Sequence, residues 1–535
     1  MQEFEGIIFV ITILVVLSAV SRRIRLPYPV MMVTAGLAVG FIPTLPDLSL
    51  NPDAIFSVFL PPLLFESALK TSWNEFRAAI KPITALAVSL VFITTISVAI
   101  VAKWLIPGFS WPLAFVLGAI VSPPDAVAAT GITRGLGLGK QVTTILEGES
   151  LINDAAALIT YRYAVIAIAT GTFIFWQAGL DFIILFVGGI TAGIISGLLF
   201  AAIHKRIKNN AIVNTSLNLL IPFISYLAAE RLHVSGVLAV VAAGLVIAHR
   251  APEIFNYDTR LRTRAVWDTI IFLLNGFIFI LMGMQLPAIL KSLTGYSVLQ
   301  LIGYGIAISS VTILVRIIWV FAGVSAQKLL TKWSSGSEEN TGPDLWKNVL
   351  IIAWTGTRGV VSLATALALP LILRNGKLLV ERPLIIFLAF MVIFATFIIQ
   401  GMSLPLLIKL LKIRKDSNVS REEKELQLVM TERIITFITN DLQLVISDKI
   451  REDIITQYES FAKKLEYDIA HPATSNLSSA DLLREPVNQL LSAQIEIVMF
   501  RRQLLLQFHK EAIFSDDVIR KYERDMDMEE MNRNK

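Results

Sequence analysis

A small set of ionisable side chains lies within segments that are otherwise apolar. The set comprises Glu66, Asp125, Glu147, Glu149, Asp154, Arg162, Arg316 and Arg358. At the depth of a lipid bilayer such groups are costly unless they are paired or face water, so each is a functional candidate by default. Most of the acids fall in two neighbouring segments. Clustered carboxylates of this kind can bind and release a small cation or a proton, and the sequence predicts that chemistry.

The first of these two segments is interrupted by consecutive prolines. It reads FVLGAIVSPPDAVAATGI, with Pro123 and Pro124 directly before Asp125. Proline has no backbone N–H, so carbonyl groups one turn earlier lose their helical partners. A break at membrane depth is tolerated only where it is buried or lines a water-filled cavity. The freed carbonyls, the Ser122 hydroxyl and the Asp125 carboxylate predict a hard-oxygen cation site, with a simple proline kink as the alternative.

The second segment, VTTILEGESLINDAAALITYRYAVIAIAT, carries its polar groups on separate helix faces. Ser150 and Asp154 are four residues apart, which places the hydroxyl and the carboxylate on one face. Glu149 and Asn153 share a different face, and Glu147 is interpreted as an interfacial residue near the helix start. We expect Asp154 to be the functional carboxylate, because no basic residue lies near it on its own face.

A third segment, VLIIAWTGTRGVVSLATALAL, contains an arginine between two glycines. Gly356 and Gly359 flank Arg358 and weaken the helix there. A guanidinium in an apolar segment keeps its proton and needs a carboxylate. Glu149 is the predicted partner, because it lies on the helix face that does not carry Asp154.

Three further charges have less specific surroundings. Glu66, in LPPLLFESALKTSW, either lines the approach to the site or pairs with Lys70 four residues later. Arg162 and Arg316 are expected to pair structurally or to extend to an interface. Of the three, only Glu66 is a candidate for the ion or proton site.

The composition indicates the elements that hold these side chains. The 535 residues are 55% hydrophobic and 17% charged, with a mean hydropathy of +0.66, whereas soluble domains carry about 25% charged residues. These values exclude a disordered chain, a collagen-like fibre and an ordinary cytosolic enzyme, and they predict an all-α polytopic membrane protein. The absence of cysteine excludes iron–sulfur ligation and thiol catalysis. No cofactor is predicted, since none of the 5 histidines lies at the centre of an apolar run.

Apolar runs of about 20 residues cross a bilayer, and the sequence predicts about 13 of them. They lie near residues 5–20, 28–43, 54–69, 82–103, 112–131, 142–170, 181–203, 211–230, 234–249, 265–286, 298–327, 348–372 and 384–408. The two interrupted segments are the fifth and the twelfth. If spans 1–6 and 8–13 are inverted repeats, these two broken helices occupy matching positions and cross at the midplane, which is typical of a transporter site.

Alternate loops differ in charge, since one set is rich in Lys and Arg and the other is poor. The positive-inside rule puts the basic set in the cytoplasm. Residues 1–410 are therefore predicted to form a transmembrane domain of the cell membrane with its N-terminus outside. Residues 411–535 are predicted to form a helical cytoplasmic tail, with apolar stripes in 421–470 and 481–514. Short basic loops suit lipid headgroups better than nucleic acid.

The strings around these charges resemble the cation:proton antiporter-1 family, the sodium/proton exchangers of bacterial and eukaryotic membranes. GESLINDAAALI is similar to the family's E-S-hydrophobic-hydrophobic-N-D signature, SPPDAVA to its T-D-P-V-A break, and TRGVVSLATALALP to its arginine–glycine helix. The resemblance covers residues 5–410. It implies a 13-span fold, a homodimer and electroneutral exchange of one Na⁺ for one H⁺, in the service of pH and sodium homeostasis.

The resemblance also implies roles for single residues. Matched to the signature, Asp154 is the carboxylate shared by ion and proton, Ser150 is a hydroxyl ligand and Asp125 shapes the site. Asn153 stands where electrogenic relatives have a second aspartate, and Glu149 with Arg358 is the stabilising ion pair.

The sequence departs from the family pattern next to Asp125. Pro124 replaces the family's threonine, and Ala126 replaces its proline. Ligands from this segment must then be backbone oxygens or Ser122.

Other functions fit parts of the pattern. A K⁺/H⁺ exchanger would use the same fold, whereas a potassium channel would need a filter string such as TVGYG, which is absent. An intramembrane aspartyl protease would also use two membrane carboxylates, but neither a Tyr-Asp nor a Gly-x-Gly-Asp pair stands at Asp125 or Asp154. A transmembrane sensor would signal through the tail, which carries no recognisable catalytic or phospho-acceptor pattern. We therefore predict an antiporter and no enzyme, with Na⁺ as the cation and K⁺ as the alternative.

Overall fold

The described part of the chain is helical. A computed structural model describes residues 2–21, 28–42, 55–125, 140–171, 175–207, 210–293, 295–334, 345–373, 376, 378–411, 417–440 and 448–470. Within these ranges, the one extended pairing is an isolated bridge between Ile372 and Leu378. The contacts divide the chain into two units, Met1–Asp416 and Ser417–Lys535.

Fourteen helices of the first unit are numbered here in chain order. They are α1 Gln2–Ser21, α2 Tyr28–Gly40, α3 Leu60–Lys70, α4 Ile80–Leu105, α5 Trp111–Val121, α6 Lys140–Thr170, α7 Phe175–Arg206, α8 Ala211–Arg231, α9 Gly236–Ile254, α10 Tyr257–Ser292, α11 Val298–Ser334, α12 Leu345–Trp354, α13 Val360–Leu367 and α14 Arg382–Leu410. Among the described residues, 8 helices are long and apolar enough to cross a membrane, and shorter apolar helices accompany them. The all-α polytopic fold is confirmed, while the number of 13 spans stays a prediction.

Polar residues in short connections define where several of these helices begin. Ser110, Asn210, Ser235 and Asn256 each precede a helix, and each side-chain oxygen accepts a hydrogen bond from the backbone N–H three residues later. Such caps satisfy amides that have no partner inside the helix. The apolar runs thus form separate helices, each with a defined first residue.

The helices pack in two groups. One group contains α1, α2, α3 and α7–α10, and the other contains α4, α5, α6, α11, α12 and α14. Within the first group α2 and α10 approach closely, because a Cβ atom at Gly36 would overlap the carbonyl of Ile280 and one at Gly283 would overlap that of Val33. Small residues that allow backbones to meet are the usual packing device of membrane helices. The short helix α13 contacts both α14 and α10, and so lies where the groups meet.

Both predicted breaks are present. Helix α5 ends at Val121, directly before Ser122 and the two prolines. Helix α12 ends at Trp354, and α13 begins at Val360 after a non-helical stretch that contains Arg358. The part of the fifth predicted span after Asp125 lies outside the described residues.

The second unit contributes two described helices, α15 Ser417–Asn440 and α16 Asp448–Ala470, which pack on each other. Ile438, Ala462 and Leu465 are among their buried apolar residues. The apolar stripe predicted at 421–470 therefore forms a helix pair. The second predicted stripe, 481–514, lies outside the described residues.

Candidate ion-binding site

Two hydrogen bonds join the broken segments, one between backbone groups and one donated by a side chain. The N–H of Asp125 donates to the carbonyl oxygen of Thr357 at 2.6 Å, and the Thr357 hydroxyl donates to the carbonyl oxygen of Asp125 at 3.2 Å. The Asn153 amide of α6 donates to the carbonyl oxygen of Pro124 at 3.1 Å. The non-helical residues at the two breaks thus form hydrogen bonds with one another and with α6.

A cavity of about 390 Å³ lies beside this crossing, between the two helix groups. Its lining from α2, α3 and α10 comprises Tyr28, Pro29, Leu63, Leu64, Glu66, Ser67, Ile271, Asn275 and Phe279. Its opposite wall comprises Pro123, Asp125, Ser150, Asp154, Gly359, Val360, Val361, Ser362 and Phe397. Three carboxylates therefore face one space, and no basic residue is among the described residues that line it.

Asp154 and Ser150 occupy the α6 wall of the cavity, as their shared helix face predicted. Asp154 is 7% exposed, and no hydrogen-bond donor or basic side chain contacts its carboxylate within the described part of the chain. A buried carboxylate in this state is costly unless it binds a proton or a cation. The α6 wall thus carries a buried carboxylate and a hydroxyl, whose oxygen atoms can bind a proton or a cation.

The Asp125 carboxylate packs against the start of α13. A Cβ atom at Gly359 would overlap the Asp125 side chain, so only glycine leaves room for the carboxylate there. The first amides of a helix carry a partial positive charge and stabilise a nearby anion. The second broken helix thus provides the electrostatic support for the acid of the first.

Glu66 has both of the features that the sequence offered as alternatives, a place at the cavity and an ion pair with Lys70. It is buried and lines the cavity, and it also forms an ion pair with Lys70. Lys70 in turn donates to Asp268 of α10 at 3.1 Å. The carboxylate of Glu66 therefore belongs to the cavity and to a charged network at its edge.

Ser122 does not occupy the place that was predicted for it. Its side chain is fully buried, its hydroxyl donates to the carbonyl oxygen of Ala119 at 3.0 Å, and the residue does not line the cavity. The hydroxyl replaces the amide that Pro123 lacks, so it completes the last turn of α5. The predicted role of Ser122 as a cation ligand is wrong in this structure.

The partner predicted for Glu149 is also wrong. Glu149 binds Arg316 of α11 through both carboxylate oxygens, at 2.6 and 3.0 Å, and both side chains are almost completely buried. The Arg316 guanidinium also donates to the carbonyl oxygen of Ile352 at 3.1 Å. The stabilising ion pair therefore joins α6 to α11 and to the end of α12.

Arg358 instead serves backbone carbonyls. Its guanidinium donates to the carbonyl oxygen of Val121 at 3.0 Å, to that of Gly356 and to that of Thr312 at 3.5 Å. The last carbonyls of a helix have no amide partner, and a guanidinium carries five donors in a fixed fork. Arg358 thus caps α5 in the way that Arg316 caps α12, which leaves Arg316 to pair with the acid.

Sequence reasoning missed three uncharged polar residues of the cavity. Tyr28, Asn275 and Ser362 line the cavity, and the hydroxyl of Ser362 is buried without a hydrogen-bond partner in the described part of the chain. Ser362 follows the break by one turn, where the carbonyl that a helical serine normally uses is not in helical position. An uncharged residue in an apolar segment gives no charge signal, and only the nearby T-G-T-R-G break indicated this location.

Broken helices that cross beside a carboxylate-lined cavity, between two helix groups, define a membrane transporter of small ions. The family model described as "Sodium/hydrogen exchanger, transmembrane" matches residues 9–410. The chain belongs to this family, and its function is antiport of a cation against protons.

Individual relatives agree with that assignment. A protein of Mycobacterium bovis named as an uncharacterized Na(+)/H(+) exchanger is 30% identical over 98% of this chain and 97% of its own. The sodium, potassium, lithium and rubidium/H(+) antiporter of Bacillus pumilus is 32% identical over 76% of this chain and 61% of its own. The sodium proton antiporter MjNhaP1 of Methanocaldococcus jannaschii has a similar fold, with a TM-score of 0.61, 19% identity, and coverage of 76% of this chain and 98% of that one.

Proposed function

We propose that the protein exchanges Na⁺ for H⁺ at Asp154, with Ser150 and Asp125 as further oxygen ligands and Glu66 on the facing wall. The observation that carries this proposal is the single cavity into which these three carboxylates face. Na⁺ is a hard cation that prefers carboxylate, hydroxyl and carbonyl oxygens. Because one carboxylate holds either the cation or the proton, binding of one releases the other.

The division into two helix groups provides a basis for alternating access. Glu66 belongs to one group, whereas Asp125 and Asp154 belong to the other. The Glu149–Arg316 pair and the Arg358 caps hold α5, α6, α11 and α12 together. We propose that these helices move as one body against α2, α3 and α10, which exposes Asp154 to one side of the membrane at a time.

The exchange is proposed to be electroneutral, with one Na⁺ for one H⁺. Asn153 cannot titrate, and its amide is used in the contact with Pro124. Asp125 lies against the start of α13, where the helix dipole favours the ionised form throughout the cycle. Asp154 then remains the single carboxylate that carries the proton.

The loop charges support a placement in the cell membrane with the N-terminus outside and residues 411–535 in the cytoplasm. On this placement the Lys70 end of the cavity faces the cytoplasm. The family resemblance supports a homodimer, and exposed apolar residues such as Leu180, Ile184 and Leu198 on α7 suit contact with lipid. In the cell, proton-driven Na⁺ extrusion would serve pH and sodium homeostasis.

The cation preference has a second candidate. The Bacillus pumilus relative is named for sodium, potassium, lithium and rubidium. Its name favours a test of K⁺ beside Na⁺, because a site of carboxylate and hydroxyl oxygens can accept more than one alkali cation.

Inside-out membrane vesicles with a pH-sensitive dye test the proposal directly. After the interior is acidified, Na⁺ added outside should restore the dye fluorescence, and vesicles from cells without the protein give the blank. A response to K⁺ alone would support the second candidate, and silence with every alkali cation would refute both.

A further inference from the structure

Lys70 lies between two carboxylates that differ sharply in their surroundings. It is the last residue of α3, one turn after Glu66, and it faces Asp268 of α10. The Glu66 side chain is 5% exposed, whereas those of Lys70 and Asp268 are 47% and 52% exposed. One ammonium group is thus shared by a cavity carboxylate and a carboxylate near solvent.

The Lys70 ammonium contacts a carboxylate oxygen of Glu66, so Lys70 and a cation bound to that oxygen would exclude each other. We propose that Lys70 is a tethered competitor of the transported cation for Glu66, with Asp268 as the group that holds Lys70 when the cation binds. This inference rests on the proposed function, because it assumes that Glu66 contributes to cation binding.

The chemistry of lysine supports an exchange of partners. Its ammonium is a compact point charge on a flexible four-carbon stem, so it can leave one carboxylate for another without a fixed geometry. Because the Lys70 side of the ion pair is half exposed, solvent screens the attraction and a competing ion can break it. Asp268 lowers the cost of release, because the displaced ammonium keeps a partner at 3.1 Å.

The proposal predicts opposite changes in the apparent KM for Na⁺ when Lys70 and Asp268 are replaced. Lys70→Gln removes the competitor, so the apparent KM for Na⁺ should fall, by about two- to fivefold for an ion pair of this exposure. Asp268→Asn removes the alternative partner and leaves Lys70 on Glu66, so the apparent KM should rise by about twofold. The double variant should resemble Lys70→Gln, because Asp268 acts only through Lys70.

Initial rates of Na⁺-induced dequenching in inside-out vesicles, over a range of Na⁺ concentrations at fixed pH, give KM separately from maximal rate. Lys70→Arg, which keeps the charge, is the conservative variant and should have a KM near that of the wild type.

Arg262→Gln is the matched control, since Arg262 forms an exposed ion pair with Asp258 on the same helix α10 and neither residue lines the cavity. Melting curves in detergent identify any variant that does not fold, and Lys70→Met then replaces Lys70→Gln.

A lower KM in Lys70→Gln together with a higher KM in Asp268→Asn supports the proposal, and shifts in the two reversed directions overturn it. Shifts in the same direction, or an unchanged KM in Lys70→Gln and Lys70→Met, overturn it while the proposed function stands. Failure of the wild type to respond to any alkali cation overturns the proposed function and this inference together.

Discussion

Asp154 is the residue on which exchange depends most directly in the proposed mechanism, because its carboxylate is buried at the cavity wall and has no protein partner among the described residues. Asp154→Asn keeps the shape of the side chain but removes both its charge and its titration. We expect Na⁺-induced dequenching to fall to the level of vesicles without the protein, while the melting temperature in detergent stays the same or rises. An unpaired buried charge no longer has to be accommodated, which is the reason for the second expectation.

Asp258→Asn serves as the matched control for that variant, since Asp258 is an exposed residue paired with Arg262. Its exchange rate should equal that of the wild type. If purified Asp154→Asn retains substantial exchange in liposomes, Asp154 is not the shared carboxylate.

The Glu149–Arg316 pair is the second residue-scale feature with a measurable consequence. Removal of one partner from a buried pair leaves an uncompensated charge, at a cost of about 3–5 kcal/mol. We expect Glu149→Gln and Arg316→Met each to lower expression and the melting temperature in detergent. The double variant should lose less stability than the sum of the single ones, because neither charge is then left alone.

Two comparisons make that prediction specific. Arg162→Gln breaks a more exposed pair with Glu230 and should cost at most about 1 kcal/mol. A cycle of Glu149→Gln with Arg358→Met should show a smaller coupling than the cycle with Arg316→Met. Equal coupling in both cycles would contradict the pairing seen in the structure.

Residues of the site could be predicted from the sequence where a charged side chain stands in an apolar segment. Asp125, Asp154 and Glu66 stood out for that reason, and all three line the cavity. The choice between Arg316 and Arg358 as the partner of Glu149 could not be made, because it depends on how three helices far apart in sequence are rotated against one another. Ser122 was misassigned since its hydroxyl has a local partner, the Ala119 carbonyl, that competes with any ligand.

At the scale of the element, the broken helices are held by guanidinium groups. Arg358 caps α5 and Arg316 caps α12, while Arg382 donates to the carbonyl oxygens of Leu367 and Leu369 at the end of α13. Positive charge at a helix C-terminus is favourable, and each cap satisfies carbonyls that lack amide partners. The breaks are therefore fixed structural features with their own supports.

The start of α13 gives a prediction for a single glycine. A Cβ atom at Gly359 would overlap the Asp125 carboxylate. Gly359→Ala should therefore push α13 away from Asp125 and reduce exchange by about tenfold or more, with a loss of stability of about 1–3 kcal/mol from overpacking. Dequenching rates and melting temperatures measure the two effects.

Gly303→Ala is the control for that variant. Gly303 lies in α11 with open space at its Cβ position, so alanine should leave exchange unchanged and stabilise the helix slightly. Wild-type exchange in Gly359→Ala would mean that Asp125 does not need its place against α13.

The elements themselves could largely be predicted from the sequence. Consecutive prolines and the T-G-T-R-G run have strong local consequences for backbone hydrogen bonding, so α5 and α12 end where those signals stand. The π-helical turn Phe397–Gly401 within α14 could not be predicted, because its apolar sequence is compatible with an ordinary helix and its distortion depends on packing.

At the scale of the whole molecule, the net charge that crosses the membrane in one transport cycle depends on how many carboxylates exchange a proton. With Asp154 as the one exchanged carboxylate, each half-cycle carries one positive charge, and the complete cycle moves none. We expect transport rates in proteoliposomes to be independent of an imposed membrane potential. A solid-supported membrane should show no sustained current when Na⁺ is added.

The contrary result has a defined structural meaning. If Asp125 also releases its proton, two protons exchange for one cation, and a membrane potential changes the rate. A sustained Na⁺-driven current would thus show that the start of α13 does not keep Asp125 ionised.

The arrangement of the helices relative to one another could be predicted only in part, from the order of the spans along the chain. The matching positions of the two breaks predicted a crossing, and the hydrogen bonds between Asp125 and Thr357 confirm it. The assignment of helices to two groups could not be predicted, because each apolar helix of this chain fits several neighbours equally well by composition. The small residues at the α2–α10 contact become informative only once that contact is known.

The cavity with its two walls allows the proposed motion to be tested by thiol chemistry. Because the chain has no cysteine, a single one introduced by Asn275→Cys on the α10 wall would be the only thiol in the molecule. A membrane-impermeant maleimide would label it only while the cavity is open to the side of addition. The labelling rate therefore reports the fraction of time spent in that state, and its change with Na⁺ or pH follows the cycle in a protein that needs no prior removal of native residues.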